Sequence, residues 1–149
     1  NVPVVASEIS FQTMVKEPSH LESVKRIFQD EMKMLRCLQH ENLVSYLWSS
    51  YDVERAVMTV VSERVDGPLL SDIINEHGPL NSRFTAHIIY QVLQGLMILH
   101  RSNIIHRDLK PSNIFLDKEG SVKIGNYIGT EKLVKIGFKK PGDVVLIGT

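Results

Sequence analysis

Residues 106–113 read His-Arg-Asp-Leu-Lys-Pro-Ser-Asn. This octet places a carboxylate (Asp108), a cation (Lys110) and an amide (Asn113) within six positions, behind a histidine. It follows a helical run ending at Leu99-His100 and precedes an apolar strand, Ile114-Phe115-Leu116. Such a loop sits between rigid supports, as a group that moves a proton or grips an anion requires.

The flanking elements are legible from periodicity. Residues 1–15 read as extended, with Val5, Ile9 and Phe11 alternating with Ala6, Glu8 and Ser10 at a strand's period of two. Glu17-Pro18-Ser19 interrupts it, and Ser19 with Glu22 has the spacing of a capping box. Leu21, Val24, Phe28, Leu35 and Leu38 then form an apolar stripe at helical spacing, with Glu31 on the same face. A carboxylate there needs a partner, because an unpaired buried charge is costly. Two strands are expected over 43–50 and 56–63, around a polar turn at 51–55. The second is rich in β-branched residues. A short helix over Leu69–His77 stops at Gly78. A longer one runs from a cap at Asn81 or Ser82 to His100, with Phe84, Ile88, Val92, Leu96 and Leu99 on one face and Ile89 and Leu93 widening it. His77, His87 and His100 lack metal-ligand spacing and read as surface or capping groups. A hairpin turns at Asp117-Lys118-Glu119-Gly120.

The totals set bounds. A length of 149 residues gives one domain, and 43% hydrophobic with 23% charged residues is an ordinary globular composition. Seventeen basic and seventeen acidic residues cancel, so no net field favours nucleic acid or an anionic membrane. No apolar run approaches the ~20 residues of a membrane helix. The single Cys37 excludes an internal disulfide and fits a reducing, cytoplasmic compartment. With Asn1 in place of Met, the chain is expected to be a segment of something longer.

The octet resembles the catalytic loop of Ser/Thr protein kinases, H-R-D-L-x-x-x-N. The resemblance implies an α+β, two-lobe kinase fold, incomplete here: residues 1–63 as the small lobe from about its third strand, and 64–149 as the start of the large lobe. It implies that Asp108 accepts the substrate hydroxyl's proton, that Lys110 steadies the transferring phosphate, and that Asn113 holds magnesium. Leu38-Gln39-His40-Glu41-Asn42 is similar to the turn after the kinase regulatory helix. Glu31 then corresponds to the glutamate that pairs with a strand lysine, Ser62 to the gatekeeper and Glu63 to the start of the hinge. ATP and magnesium are the implied cofactors.

Three departures argue against firm binding of either. Thirteen residues after Asn113, where the family has the Asp of Asp-Phe-Gly, the chain reads Asn126-Tyr127-Ile128; an amide brings magnesium no formal charge. Aligning Val5-Ala6-Ser7 on the strand that carries the family's lysine puts Ser7 at that position, while a rival alignment offers Lys16. No Gly-rich loop precedes either residue. In the tail, Gly137 to Thr149 resembles the start of a later large-lobe helix, with Asp143 bonding the catalytic loop; alternatively Gly148-Thr149 begins a peptide-docking segment.

The degraded strand Glu8-Ile9-Ser10-Phe11-Gln12, with Val122-Lys123-Ile124-x-Asn126-Tyr127 and Lys139-Lys140-x-Gly142-Asp143-Val144, is similar to a narrower group. That group is the kinase-like regulatory domain of the amino-acid-starvation kinase of translation initiation factor 2. The implied role is a pseudokinase, an allosteric regulator of a kinase domain in cis or trans, with a homodimer as a further expected assembly. The alternative is a fragment of an active ATP-dependent Ser/Thr kinase.

Overall fold

The computed structural model describes residues 3–10, 18–128 and 146–147, with the side chains of 18–21 and of 146–147 left aside. The Lys16 alternative, the Asp143 contact and the Gly148-Thr149 alternative fall outside these residues. The chain divides into two compact units: residues 1–38, 45–64 and 128–149 form the first, and 39–44 and 65–127 the second.

The first unit is a sheet with one helix. Its strands are β1 (Val4–Ser10), β2 (Tyr46–Asp52), β3 (Val57–Glu63) and β6 (Leu146–Ile147), in the order β2-β3-β1-β6. All three pairings are antiparallel. The expected strands are present, with β2 starting three residues later than 43. Helix α1 (Pro18–Arg36) lies against β2. It starts at Pro18, not after a Ser19 cap, because proline's fixed φ and missing N–H suit the first helical position. Its buried stripe is Val24, Phe28, Glu31, Met32 and Leu35, and the strands bury Ile9, Tyr46, Met58 and Val60 in the same unit. Arg55, in the β2–β3 turn, donates to both carboxylate oxygens of Glu8 on β1 at 3.3 and 3.2 Å.

The tail differs from expectation. Leu146 and Ile147 are extended and pair with Ser7 and Ala6, where a helix was expected. The run Val144-Val145-Leu146-Ile147 is apolar and mostly β-branched, which suits a strand added to an edge better than a helix start.

The second unit contains α2 (Leu70–His77), α3 (Ser82–Arg101), a single 3-10 turn (Pro111–Asn113) and the hairpin β4 (Ile114–Leu116) and β5 (Val122–Ile124). Gly78 ends α2 at φ 78°, a left-handed conformation that a Cβ disfavours. Asn81 caps α3, its side chain accepting from Phe84 N at 2.9 Å. Ile88, Val92 and Leu99 of α3 are buried as expected, but Ile89 and Leu93 are 50% and 56% exposed. They turn outward with Tyr90 and Met97, so the buried face is narrower than the apolar pattern. His77, His87 and His100 are exposed, as their spacing indicated.

The turn Gln39–Val44 is stitched into this unit. Val44 N donates to Ile124 O and Ile124 N to Asn42 O, both at 2.9 Å. The Asn42 amide donates to Val122 O and to Gln91 Oε1 of α3. Gln91 Oε1 also accepts from Val122 N, and its Nε2 donates to Gly120 O. Gly95 allows the approach: a Cβ there would stand 2.8 Å from Asn42 O. Thus α3 supports both the 39–44 turn and the hairpin that follows the octet.

Candidate functional site

The octet is a closed loop braced from below. His106 is buried and bonds at both ring nitrogens. Its Nε2 meets Gly125 O at 2.8 Å, and its Nδ1 accepts from Asp108 N at 3.3 Å. A neutral imidazole protonated on Nε2 satisfies both contacts, one as donor and one as acceptor. The histidine is therefore a strut between the loop and the residue before Asn126. Arg107 takes a left-handed φ of 64°, a strain of about 1–3 kcal/mol that loops at functional sites commonly carry. The turn aims Asp108 at Asn113. The Asn113 amide nitrogen donates to Asp108 O at 2.7 Å and to Asp108 Oδ2 at 3.1 Å. Lys110 Nζ pairs with the same Oδ2 at 3.1 Å. The Asp108 side chain is 34% exposed and that of Lys110 50%, so an incoming group can reach both.

Position 126 closes the constellation. Asn126 has φ 54°, in the left-handed region that Asn and Asp adopt more readily than other side-chain-bearing residues. Its Nδ2 donates to Asn113 Oδ1 at 3.3 Å. Gly125 N also donates to Asn113 O at 2.9 Å. Tyr127 is buried, its hydroxyl donating to Val44 O at 2.5 Å and its ring tilted against that of His106. The loop residues Asp108, Lys110, Asn113 and Asn126 thus stand together.

The magnesium that the kinase resemblance implies does not fit this donor set. Asn113 and Asn126 contribute neutral amides that bond to each other, and the Asp108 carboxylate is already held by Lys110 and Asn113. A hard divalent cation needs anionic oxygen more than amide oxygen. Among the described residues no group of three or more His, Cys, Asp or Glu side chains is placed to hold a metal ion.

The other expected site residues belong to the first unit. Glu31 is 4% exposed on the inner stripe of α1. Ser7 lies midway along β1, paired with Val60 and Leu146; its short hydroxyl cannot extend as a lysine would. Ser62 and Glu63 end β3. Glu63 is bound to Ser45 through both its backbone and its side chain: Glu63 N donates to Ser45 O at 2.9 Å, and Glu63 Oε1 accepts from Ser45 N at 2.8 Å. Sequence reasoning missed Gln91, whose four-way bonding steadies the hairpin behind the loop. Its only signal was a polar residue beside the buried position Val92.

Comparison with known proteins gives a consistent assignment. The model of the protein kinase domain matches residues 7–137. The chain is 37% identical over 112 residues to the serine/threonine-protein kinase STE11 of Saccharomyces cerevisiae, covering 75% of this chain and 15% of that protein. It is 29% identical over 144 residues to human mitogen-activated protein kinase kinase kinase 3, covering 95% and 23% respectively. Against MAP3K epsilon protein kinase 1 of Arabidopsis thaliana it is 36% identical over 132 residues, covering 87% and 9%. The chain therefore spans less than a quarter of the length of these relatives. No helix among the described residues is long and apolar enough to cross a membrane.

Proposed function

Because the chain belongs to the protein kinase domain family, we propose that it is a Ser/Thr-kinase-type module that keeps a proton-accepting loop but transfers phosphate poorly. In this reading it acts in the cytoplasm as an allosteric regulator of a protein kinase domain, in cis or trans. The supporting observation is the contrast between a formed Asp108–Lys110–Asn113 loop and an uncharged residue 126 that bonds to Asn113. Phosphoryl transfer depends on positioning and charge neutralisation. Loss of one preorganised charge stabiliser typically lowers the rate by roughly 10²–10³. Ser7 at the strand-lysine position would remove a second. A surviving base does nothing for a nucleotide that is not held.

A more specific form of this reading is the regulatory kinase-like domain of the translation initiation factor 2 kinase. The relatives described above, which are Ser/Thr kinases and kinase kinase kinases by name, lend no support to that detail. They favour a second reading, a segment of an active ATP-dependent Ser/Thr kinase of the mitogen-activated protein kinase kinase kinase type. The loop geometry at Asp108 agrees with it.

A thermal-shift titration with ATP, with and without magnesium, separates the two. Ligand at a hundredfold excess over Kd adds about 2.7 kcal/mol of stability. The regulatory reading expects no gain from adding magnesium. A magnesium-dependent rise in melting temperature, abolished by Asn113→Ala, would establish the active-kinase reading in its place.

A further inference from the structure

The side chain of Asn113 has no rotational choice about which atom faces residue 126. Its Nδ2 donates to two acceptors of Asp108, the backbone O and Oδ2, at 2.7 and 3.1 Å. Flipping the amide would set its oxygen against both. Asn113 Oδ1 is therefore turned away from Asp108, toward residue 126. Whatever occupies 126 must either donate a hydrogen bond to that oxygen or share a cation with it. Asn126 donates, with Nδ2 at 3.3 Å from Asn113 Oδ1. A carboxylate at 126 would bring only acceptors against an acceptor, an arrangement that a hard cation between them would relieve.

We propose that the Asn113–Asn126 amide pair is a neutral lock that keeps divalent cations out of the loop, and that one negative charge at 126 is enough to convert it into a cation site. This deepens the reading of an impaired kinase-type module and rests on it. In this chain the pair ties the loop to the segment after β5. The backbone does not stand in the way of the conversion: Asn126 sits at φ 54°, which Asp tolerates nearly as well as Asn.

The test is direct binding of Mn²⁺, a hard ion with the same oxygen preference as magnesium, followed by the loss of its free electron paramagnetic resonance signal. Wild type, Asn113→Ala, Asn126→Asp and the Asn113→Ala/Asn126→Asp double variant are compared. Wild type and Asn113→Ala should give the same isotherm. Asn126→Asp should gain one saturable Mn²⁺ equivalent, lost again in the double variant. If Asn126→Asp is destabilised without metal, Mn²⁺ should restore its circular dichroism and melting transition. Wild-type Mn²⁺ binding that Asn113→Ala removes would overturn the proposal. So would an Asn126→Asp protein, folded or not, that neither binds Mn²⁺ nor is restored by it. The last result would leave the impaired-kinase reading standing, since that reading is tested separately, by the magnesium-dependent thermal shift and the phosphoryl-transfer rate of wild type.

Discussion

The two halves of the candidate site, Asp108 to Asn113 and Gly125 to Tyr127, are built alike and charged differently. Each hangs on a buried ring: His106 under the loop and Tyr127 under the segment after β5, tilted against one another. Each also bonds directly to the other, through Gly125 N to Asn113 O and His106 to Gly125 O. The loop half carries a carboxylate and an ammonium group within 3.1 Å of each other; the other half presents an amide. Scaffold and charge are thus separable. A fold can hold a site in shape through packing and backbone bonds while one side-chain atom decides what the site can bind.

Substitutions that act on one half, on both or on neither sharpen this comparison, and each is read as the change in unfolding free energy from urea titration. His106→Ala removes bonds to both halves and leaves Gly125 O and Asp108 N without their partner. The expected loss is about 2–4 kcal/mol, and a loss under about 0.5 kcal/mol would show that the halves are held independently of the histidine. Gly95→Ala presses a Cβ to 2.8 Å from Asn42 O, backbone that cannot swing away, so overpacking by about 1–3 kcal/mol is expected. Tyr127→Phe touches only the amide half. It removes the bond to Val44 O, with an expected loss of about 1 kcal/mol, and should leave Mn²⁺ binding by Asn126→Asp intact. Asn81→Ala serves neither half. It uncaps α3 and should weaken stability by about 0.5–1 kcal/mol, the baseline against which the others are judged.

Much of this was legible in the sequence, where chemistry and structure are both local. The octet announced its loop, Gly78 and Asn81 set helix boundaries, and a fixed spacing from Asn113 located Asn126. What was not legible depends on partners far along the chain. Gln91 bonds to Asn42 and Val122, 49 and 31 residues away, and nothing near Gln91 specifies either. The pairing of Leu146–Ile147 with β1 spans almost the whole chain, and a β-rich run does not name the edge it will join. Ile89 and Leu93 misled for a related reason. An apolar pattern records what a helix can bury, while the neighbours decide what it does bury. The Asn113–Asn126 bond was missed because the spacing located the residue but not the orientation of its amide, which Asp108 imposes.

The most direct test of the central claim is phosphoryl transfer from γ-labelled ATP to a Ser/Thr acceptor protein, with magnesium, by wild type and Asp108→Asn in the same preparation. Kinases ordinarily turn over at about 1–100 s⁻¹, and a missing charge stabiliser lowers rates by roughly 10²–10³. Wild-type transfer is expected at least about a hundredfold below that range. Transfer within it, abolished by Asp108→Asn, would contradict the claim that a neutral residue 126 disables the loop.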